Sequence, residues 1–383
     1  MITIQSKTIS KTVLTLALAV FFACAVGLAS AQTKTPEACD PPDPPKAPAP
    51  LKIKKTAKII SRGVGRNRQP AQNDTRTRWR VASENAGAPQ EKAIKVRPDV
   101  YVSVCVRRGT VKVNGWSREE VRAFNRGGKE LGFKVIERRG KEQLPVWVEI
   151  LGYEPDTPRG ETDKCLTGDM IELDVPEGSS VTIKGLSSET SVERVRTASI
   201  EIVGGDIYLD SITERIEAST QQGGVTVNNS TGKIALSTTT GNIVAYNTEP
   251  VEIGDFFKAK TRSGSLTLQS IGQKDVAAST ITGSINFLSD IKNYGKYDFT
   301  TTNGLINVVI PGTSSYWLTA AYGGRFISEF PIKIITEDKS DSTFRLTGRV
   351  GKGEANLSLK SFSGTIQIRK REGSAEVTET NLP

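Results

Sequence analysis

Gly223-Gly-Val-Thr-Val227, Gly232-Lys-Ile-Ala-Leu236 and Gly241-Asn-Ile-Val-Ala245 follow one another with only short polar spacers between them. Each is a glycine followed by apolar residues at alternate positions. Alternation at a period of two marks a strand with one buried face. Glycine suits a corner where a Cβ would clash or φ must turn positive. The same unit recurs as Gly205-Asp-Ile-Tyr-Leu209, Gly264-Ser-Leu-Thr-Leu268, Gly283-Ser-Ile-Asn-Phe287, Gly304-Leu-Ile-Asn-Val308 and Gly364-Thr-Ile-Gln-Ile368. Successive glycines lie 18, 9, 9, 23, 19, 21 and 60 residues apart, a step of about 9 or its double with one long excursion.

Two places after each glycine the residue is always aliphatic: Ile207, Val225, Ile234, Ile243, Leu266, Ile285, Ile306 and Ile366. Both this series and the one two places further must point inward. Stacked coil on coil they make apolar ladders, each coil burying what it cannot bury alone. The expectation is an all-β protein, a right-handed β-solenoid of Gly-x-Ile-x-Val repeats over residues 171–370. A propeller would need a period of about 40 or more and Trp-Asp signatures that are missing. The excursion from Val309 to Gly353 holds Tyr316, Trp317, Tyr322, Phe326 and Phe330, an atypical segment suited to capping the open end.

Upstream, residues 96–170 alternate as Tyr101–Val106, Thr110–Val113, Gly132–Ile136 and Val146–Ile150 and read as a small antiparallel β unit, with Asn114-Gly115 as a turn signal. Residues 1–31 carry Lys7 and Lys11, an apolar run from Val13 to Leu28 and Ala29-Ser-Ala31, the pattern of a cleaved signal peptide; an uncleaved anchor is the rival, and a lipoprotein through Cys24 a weaker one. The span 32–95 reads as a disordered arm. Its proline-rich part, Pro36 to Pro50, is a stiff spacer. Lys52, Lys54, Lys55, Lys58, Arg62, Arg66, Arg68, Arg76, Arg78 and Arg80 then face the single acid Asp74, a local charge equal to the whole chain's +9. The basic balance therefore belongs to the arm, which in an exported protein would meet anionic lipid, envelope polymer or polysaccharide and not nucleic acid. A merely solvated linker is the blander reading of that run. Residues 371–383 read as a disordered tail.

Export leaves Cys39, Cys105 and Cys165 in an oxidising compartment. A Cys105–Cys165 disulfide with Cys39 left over is the expectation.

The residues resemble the bacterial "putative adhesin" domain family, a secreted β-solenoid of unknown function built from Ser/Thr-x-x-Gly-x-Ile-x-Val elements. The resemblance spans roughly residues 96–370. It includes Gly115-Trp-Ser-Arg-Glu-Glu-Val121, Ile171-Glu-Leu-Asp-Val-Pro-Glu-Gly178, Gly348-Arg-Val-Gly-Lys-Gly353 and Ser361-Phe-Ser-Gly-Thr-Ile-Gln-Ile368. It implies the fold and export, and brings no agreed functional residues.

The chain has no histidine, which removes His-based triads and the commonest zinc ligand. Gly348–Gly353 lacks the Walker spacing of a phosphate loop. Polysaccharide enzymes on parallel β-helices gather acids on one face, yet among the outward positions one and three places after each glycine only Asp206 is acidic. No catalytic residue, cofactor or metal site is therefore assigned. The outward Thr, Ser, Asn and Gln rows suit contact with a glycan, an envelope polymer or a protein. The expected function is a non-catalytic periplasmic or cell-surface scaffold, with a self-assembling envelope component and a polysaccharide-active β-helix enzyme as alternatives.

Overall fold

The computed structural model describes residues 89–128, 130–137, 144–153, 164–340 and 343–371. The expected leader, proline spacer, the basic residues from Lys52 to Arg80 and Cys39 lie outside the described residues, as does the tail beyond Arg371.

The described chain is all β. It opens with β1 (Gln90–Lys95), β2 (Tyr101–Trp116), β3 (Glu120–Arg126), β4 (Glu130–Glu137), β5 (Pro145–Tyr153), β6 (Leu166–Pro176) and β7 (Ser180–Glu193). Short strands then alternate: β8 (Thr197–Gly204), β9 (Ile207–Asp210), β10 (Arg215–Gln222), β11 (Val225–Thr231), β12 (Lys233–Thr240), β13 (Ile243–Glu249), β14 (Phe256–Ser263), β15 (Leu266–Ile271), β16 (Asp275–Thr282), β17 (Ile285–Leu288), β18 (Lys296–Asn303) and β19 (Ile306–Pro311). The C-terminal strands are β20 (Tyr316–Tyr322), β21 (Phe326–Ser328), β22 (Lys333–Ser340), β23 (Thr343–Val350), β24 (Ala355–Ser361) and β25 (Ile366–Arg371).

From β8 to β19 each strand pairs in parallel with the next but one. The row β8-β10-β12-β14-β16-β18 forms one face and β9-β11-β13-β15-β17-β19 the other. This is a β-solenoid whose coil is two strands and two corners. The coil step is therefore the double spacing. Gly232, grouped with the other glycines in the sequence, opens a strand of the opposite face: Ile234 pairs with Ile216 and Phe257, not with Val225 or Ile243.

The core lies between the faces. Ile216, Ile234, Phe257, Val276 and Tyr297 run down one inner ladder and Val225, Ile243, Leu266, Ile285 and Ile306 down the facing one, all fully buried. Phe287 of β17 touches Phe299 and Tyr297 of β18 at ring-centroid distances of 4.9 and 5.8 Å, across the interior.

Two polar ladders hold the corners. The buried hydroxyls of Thr220, Thr238, Thr261, Thr280, Thr301 and Ser361 donate to the carbonyls of Gly205, Gly223, Gly241, Gly264, Gly283 and Gly304, one coil back, at 2.9–3.2 Å. Repeated Ser/Thr-x-x-Gly thus satisfies a carbonyl that the corner turns away from the sheet. At the far end of the other face Ser211, Asn229, Asn247 and Ser270 adopt φ between 46° and 57°, a region asparagine tolerates. Asn247 Nδ2 donates to Asn229 Oδ1, and Asn229 Nδ2 to Asp210 Oδ1, both at 3.2 Å.

The N-terminal strands include three antiparallel pairs, β1–β3, β3–β6 and β4–β5. They are nonetheless continuous with the solenoid, because β2 runs parallel to β5, β6 and β7. Both β2 and β7 are long enough to serve the two faces in turn: β7 pairs with β8 through its first half and with β9 through its last. Asn114-Gly115 is no turn but lies inside β2. Gly115 lets the backbone pass Arg194, whose carbonyl oxygen would be 1.6 Å from a Cβ, and Asn114 Nδ2 donates to Asp174 Oδ1 at 3.1 Å. Residues 90–95, read as part of the arm, form β1, and Arg371, read as tail, closes β25.

The excursion does form the C-terminal end, in an unexpected order. β20 and β21 lie one coil beyond, and the final strands β24 and β25 slot in between, pairing in parallel with β18 and β19 on one side and β20 and β21 on the other. The β22–β23 hairpin then closes the outer edge of β20 antiparallel.

Candidate functional site

Cys105 of β2 and Cys165, just ahead of β6, are joined in a disulfide with Cα atoms 4.5 Å apart. The basic residues from Lys52 to Arg80 lie outside the described residues.

On the glycine-led face Asp206 accepts the Gly224 amide at 2.6 Å, and Asn242 Oδ1 accepts the Ser265 amide at 2.8 Å. These side chains fasten one corner to the next. Burial, with help from the Asp206 and Glu189 carboxylates, pushes the Tyr208 hydroxyl above its ordinary value.

The opposite face carries a feature the sequence reading passed over. A shallow groove of about 650 Å³ crosses β8, β10, β12, β14, β16 and β18. Its floor is small because the outward residues in register are Ala235 and Ala277 beside Lys258, and Ser237 and Ser279 beside Lys260. Ser237 Oγ meets Ser219 Oγ at 3.1 Å. The two lysines stand in the middle, both exposed, Lys258 Nζ 4.3 Å from the centre of the Phe256 ring.

Acids lie toward the two ends, each with a basic neighbour: Glu201 with Lys184 at 3.8 Å, Glu217 with Arg215, and Asp298 with Lys360 at 3.9 Å. Glu217 and Asp298 are separated by four strand spacings, roughly 19 Å at about 4.8 Å each, too far for a glycosidase carboxylate pair at about 5–9.5 Å. Glu201 and Glu217 are diagonal neighbours, Glu217 opposite Ser199 and Glu201 opposite Ser219. That puts their Cβ atoms at about 7–8 Å or less. The Glu201 side chain is 74% exposed, however, without the apolar enclosure that sets apart a general acid.

The strand Phe256-Phe-Lys-Ala-Lys-Thr-Arg262 alternates as regularly as the others, and its outward row was there to be read. Gly254 stands two residues ahead of it, but Phe257 and not Phe256 is the inward residue, so the strand lacks the Gly-x-aliphatic signature of the other corners. Among the described residues no group of three or more Cys, Asp or Glu stands in metal-binding proximity.

The family model Toastrack DUF4097 matches residues 167–369, from the start of β6 almost to the end of β25. The chain belongs to the Toastrack DUF4097 family. The Toastrack match covers the solenoid from β6 onward and the groove. Among solved structures, a "putative cell adhesion protein" from Clostridium sporogenes is 11% identical, with 74% of this chain and 100% of that one covered and a TM-score of 0.22. A "putative adhesin" from Bacteroides fragilis is 14% identical over 73% of this chain and 96% of that one, at a TM-score of 0.36. A "putative lipid binding protein" from Parabacteroides distasonis is 11% identical over 75% and 98%, at 0.32. No curated protein matches the chain.

Proposed function

We propose that this Toastrack protein is an exported, non-catalytic binding scaffold that holds an extended envelope polymer or glycan along the groove formed by β8 to β18. The observation that carries the reading is the groove itself, a continuous channel on a stack of parallel strands whose small apolar floor is set with hydroxyl and charged groups. Each coil is fixed to the next by backbone and threonine hydrogen bonds, so the lining residues are presented at a regular spacing with little freedom to lose on binding. The small floor residues leave room for a polymer chain, and the Ser and Thr hydroxyls offer it partners. The leader expected over residues 1–31 would deliver the protein to the periplasm or cell surface, and the basic arm would add electrostatic attraction to an anionic surface.

Pull-down of the mature chain on isolated cell-envelope material, at low and high salt, tests this beside a chain beginning at Pro89. The start at Pro89 keeps β1 intact. Binding retained by the shorter chain locates recognition on the solenoid. Salt-sensitive binding lost with the arm makes residues 51–80 the anchor and sinks the groove reading.

The diagonal pair Glu201 and Glu217 favours one second reading, glycan cleavage. Incubation with envelope polysaccharide settles it: new reducing ends that vanish in Glu217→Gln would make the protein an enzyme.

A further inference from the structure

We propose that Lys258 and Lys260 form a site for the acidic groups of a linear polysaccharide, a carboxylate- or sulfate-bearing glycan chain lying along the groove. The inference rests on the scaffold reading above and adds the chemistry of the ligand. Its basis is a contrast of charge. Around the groove Lys184, Arg215 and Lys360 each face a carboxylate, so those cations are neutralised where they stand. Lys258 and Lys260 have no ion-pair partner among the described residues, and their cross-strand neighbours in register are alanine and serine on both sides. Two residues apart on one strand, their Cα atoms are about 6.6 Å from each other. Like charges so close repel, and the carboxylates of the same face, Asp275 diagonal to Lys258 and Glu217 and Asp298 two strands away in its row, make no ion pair with either lysine.

The surroundings select the kind of anion. Ser219, Ser237, Ser279 and Thr300 line the same groove and can exchange hydrogen bonds with sugar hydroxyls. Ala235 and Ala277 leave flat apolar ground beside Lys258 on which the carbon face of a sugar ring can rest. A bilayer is too broad to enter a channel of this size, whereas a single polymer chain can follow it across the strands. Arg262, the next outward residue after Lys260, extends the basic row along β14.

The test uses the full chain and reads the lysines directly, because the basic arm could also attract a polyanion. Amine acetylation followed by peptide mass spectrometry is run with polygalacturonate, with dextran, and with phosphatidylglycerol vesicles. Polygalacturonate should slow modification of Lys258 and Lys260 by about tenfold relative to Lys333 and Lys339, and dextran should not. The double variant K258Q/K260Q should bind polygalacturonate about tenfold more weakly than K333Q/K339Q, the loss expected for charge-assisted contacts. Unchanged acetylation at Lys258 and Lys260 while polygalacturonate is bound would assign the binding to the arm and overturn the proposal. Equal protection by dextran would also overturn it, while leaving a neutral-glycan scaffold standing. Protection by vesicles alone would replace the polysaccharide with a membrane. Failure of the chain beginning at Pro89 to bind any envelope material would remove the scaffold reading itself.

Discussion

Thr261 and Gly264 show how a single residue sets the corner of a coil. The Thr261 hydroxyl donates to the Gly241 carbonyl at 3.1 Å, and a Cβ on Gly264, at φ +153°, would lie 1.9 Å from that same oxygen. Thr261→Val keeps the shape and loses the donor, so it should cost about 1 kcal/mol in urea unfolding. Gly264→Ala meets backbone that cannot give and should cost about 3 kcal/mol or more; equal costs would refute this account of the corner. Tyr316 is a different case. Burial pushes its hydroxyl well above the ordinary tyrosine range, and that oxygen finds no hydrogen-bond partner among the described residues. Because the native value is raised, its contribution is complete below the unfolded value of about 10 and is lost as the pH climbs above it. Tyr316→Phe should therefore be neutral or up to about 1 kcal/mol stabilising near pH 7, and thermal melts should show a shallower loss above about pH 10. Tyr297 gives the opposite sign near pH 7: its hydroxyl accepts the Lys292 amide at 2.8 Å, and removing it orphans that donor.

At the scale of elements, the solenoid strands that follow a Gly-x-aliphatic corner could be read from the sequence, and most of those between them could not. The ladder from Ile207 to Ile366 is legible because corner chemistry and period-two alternation coincide. Phe256–Arg262 has the alternation without the Gly-x-aliphatic signature, so the groove face stayed hidden. The order of the last strands is illegible for another reason: nothing local records that β24 and β25 insert between two earlier coils. That order has a consequence. A chain ending at Gly353 loses an interior coil, exposing the edges of β18 and β19 and stranding β20 to β23. Hydrogen exchange should show protection lost back through β16–β19 as well; loss confined to residues 316–350 would contradict the topology. The disulfide acts on the N-terminal strands. It closes a sequence separation of 60 residues, so Cys105→Ser with Cys165→Ser should lower stability by up to about 4 kcal/mol through chain entropy. Denaturant melts with and without reductant check this, and an unchanged midpoint would mean that the bridge contributes nothing.

Across the whole molecule, repetition converts a weak local contact into a ruler. The outward rows of β8 to β18 repeat at about 4.8 Å, and five such spacings make a groove roughly 24 Å long. A polymer lying along it gains contacts strand by strand until it reaches the far end. Affinity for acidic oligosaccharides should therefore rise steeply with length and level off once the oligomer spans about 24 Å, each added contact worth at most a few tenths to one kcal/mol in so exposed a setting. Titration calorimetry on a graded oligosaccharide series, with full chain and at a salt concentration that screens the arm, reads this directly. An affinity already at its maximum for a disaccharide would confine recognition to the Lys258–Lys260 pair and leave the rest of the groove without a role. An affinity that keeps rising far beyond the groove's length would point instead to many independent contacts, as a charged arm makes with a long polyanion. Only a plateau at the span of the strands ties the stacking of coils to the binding of a chain.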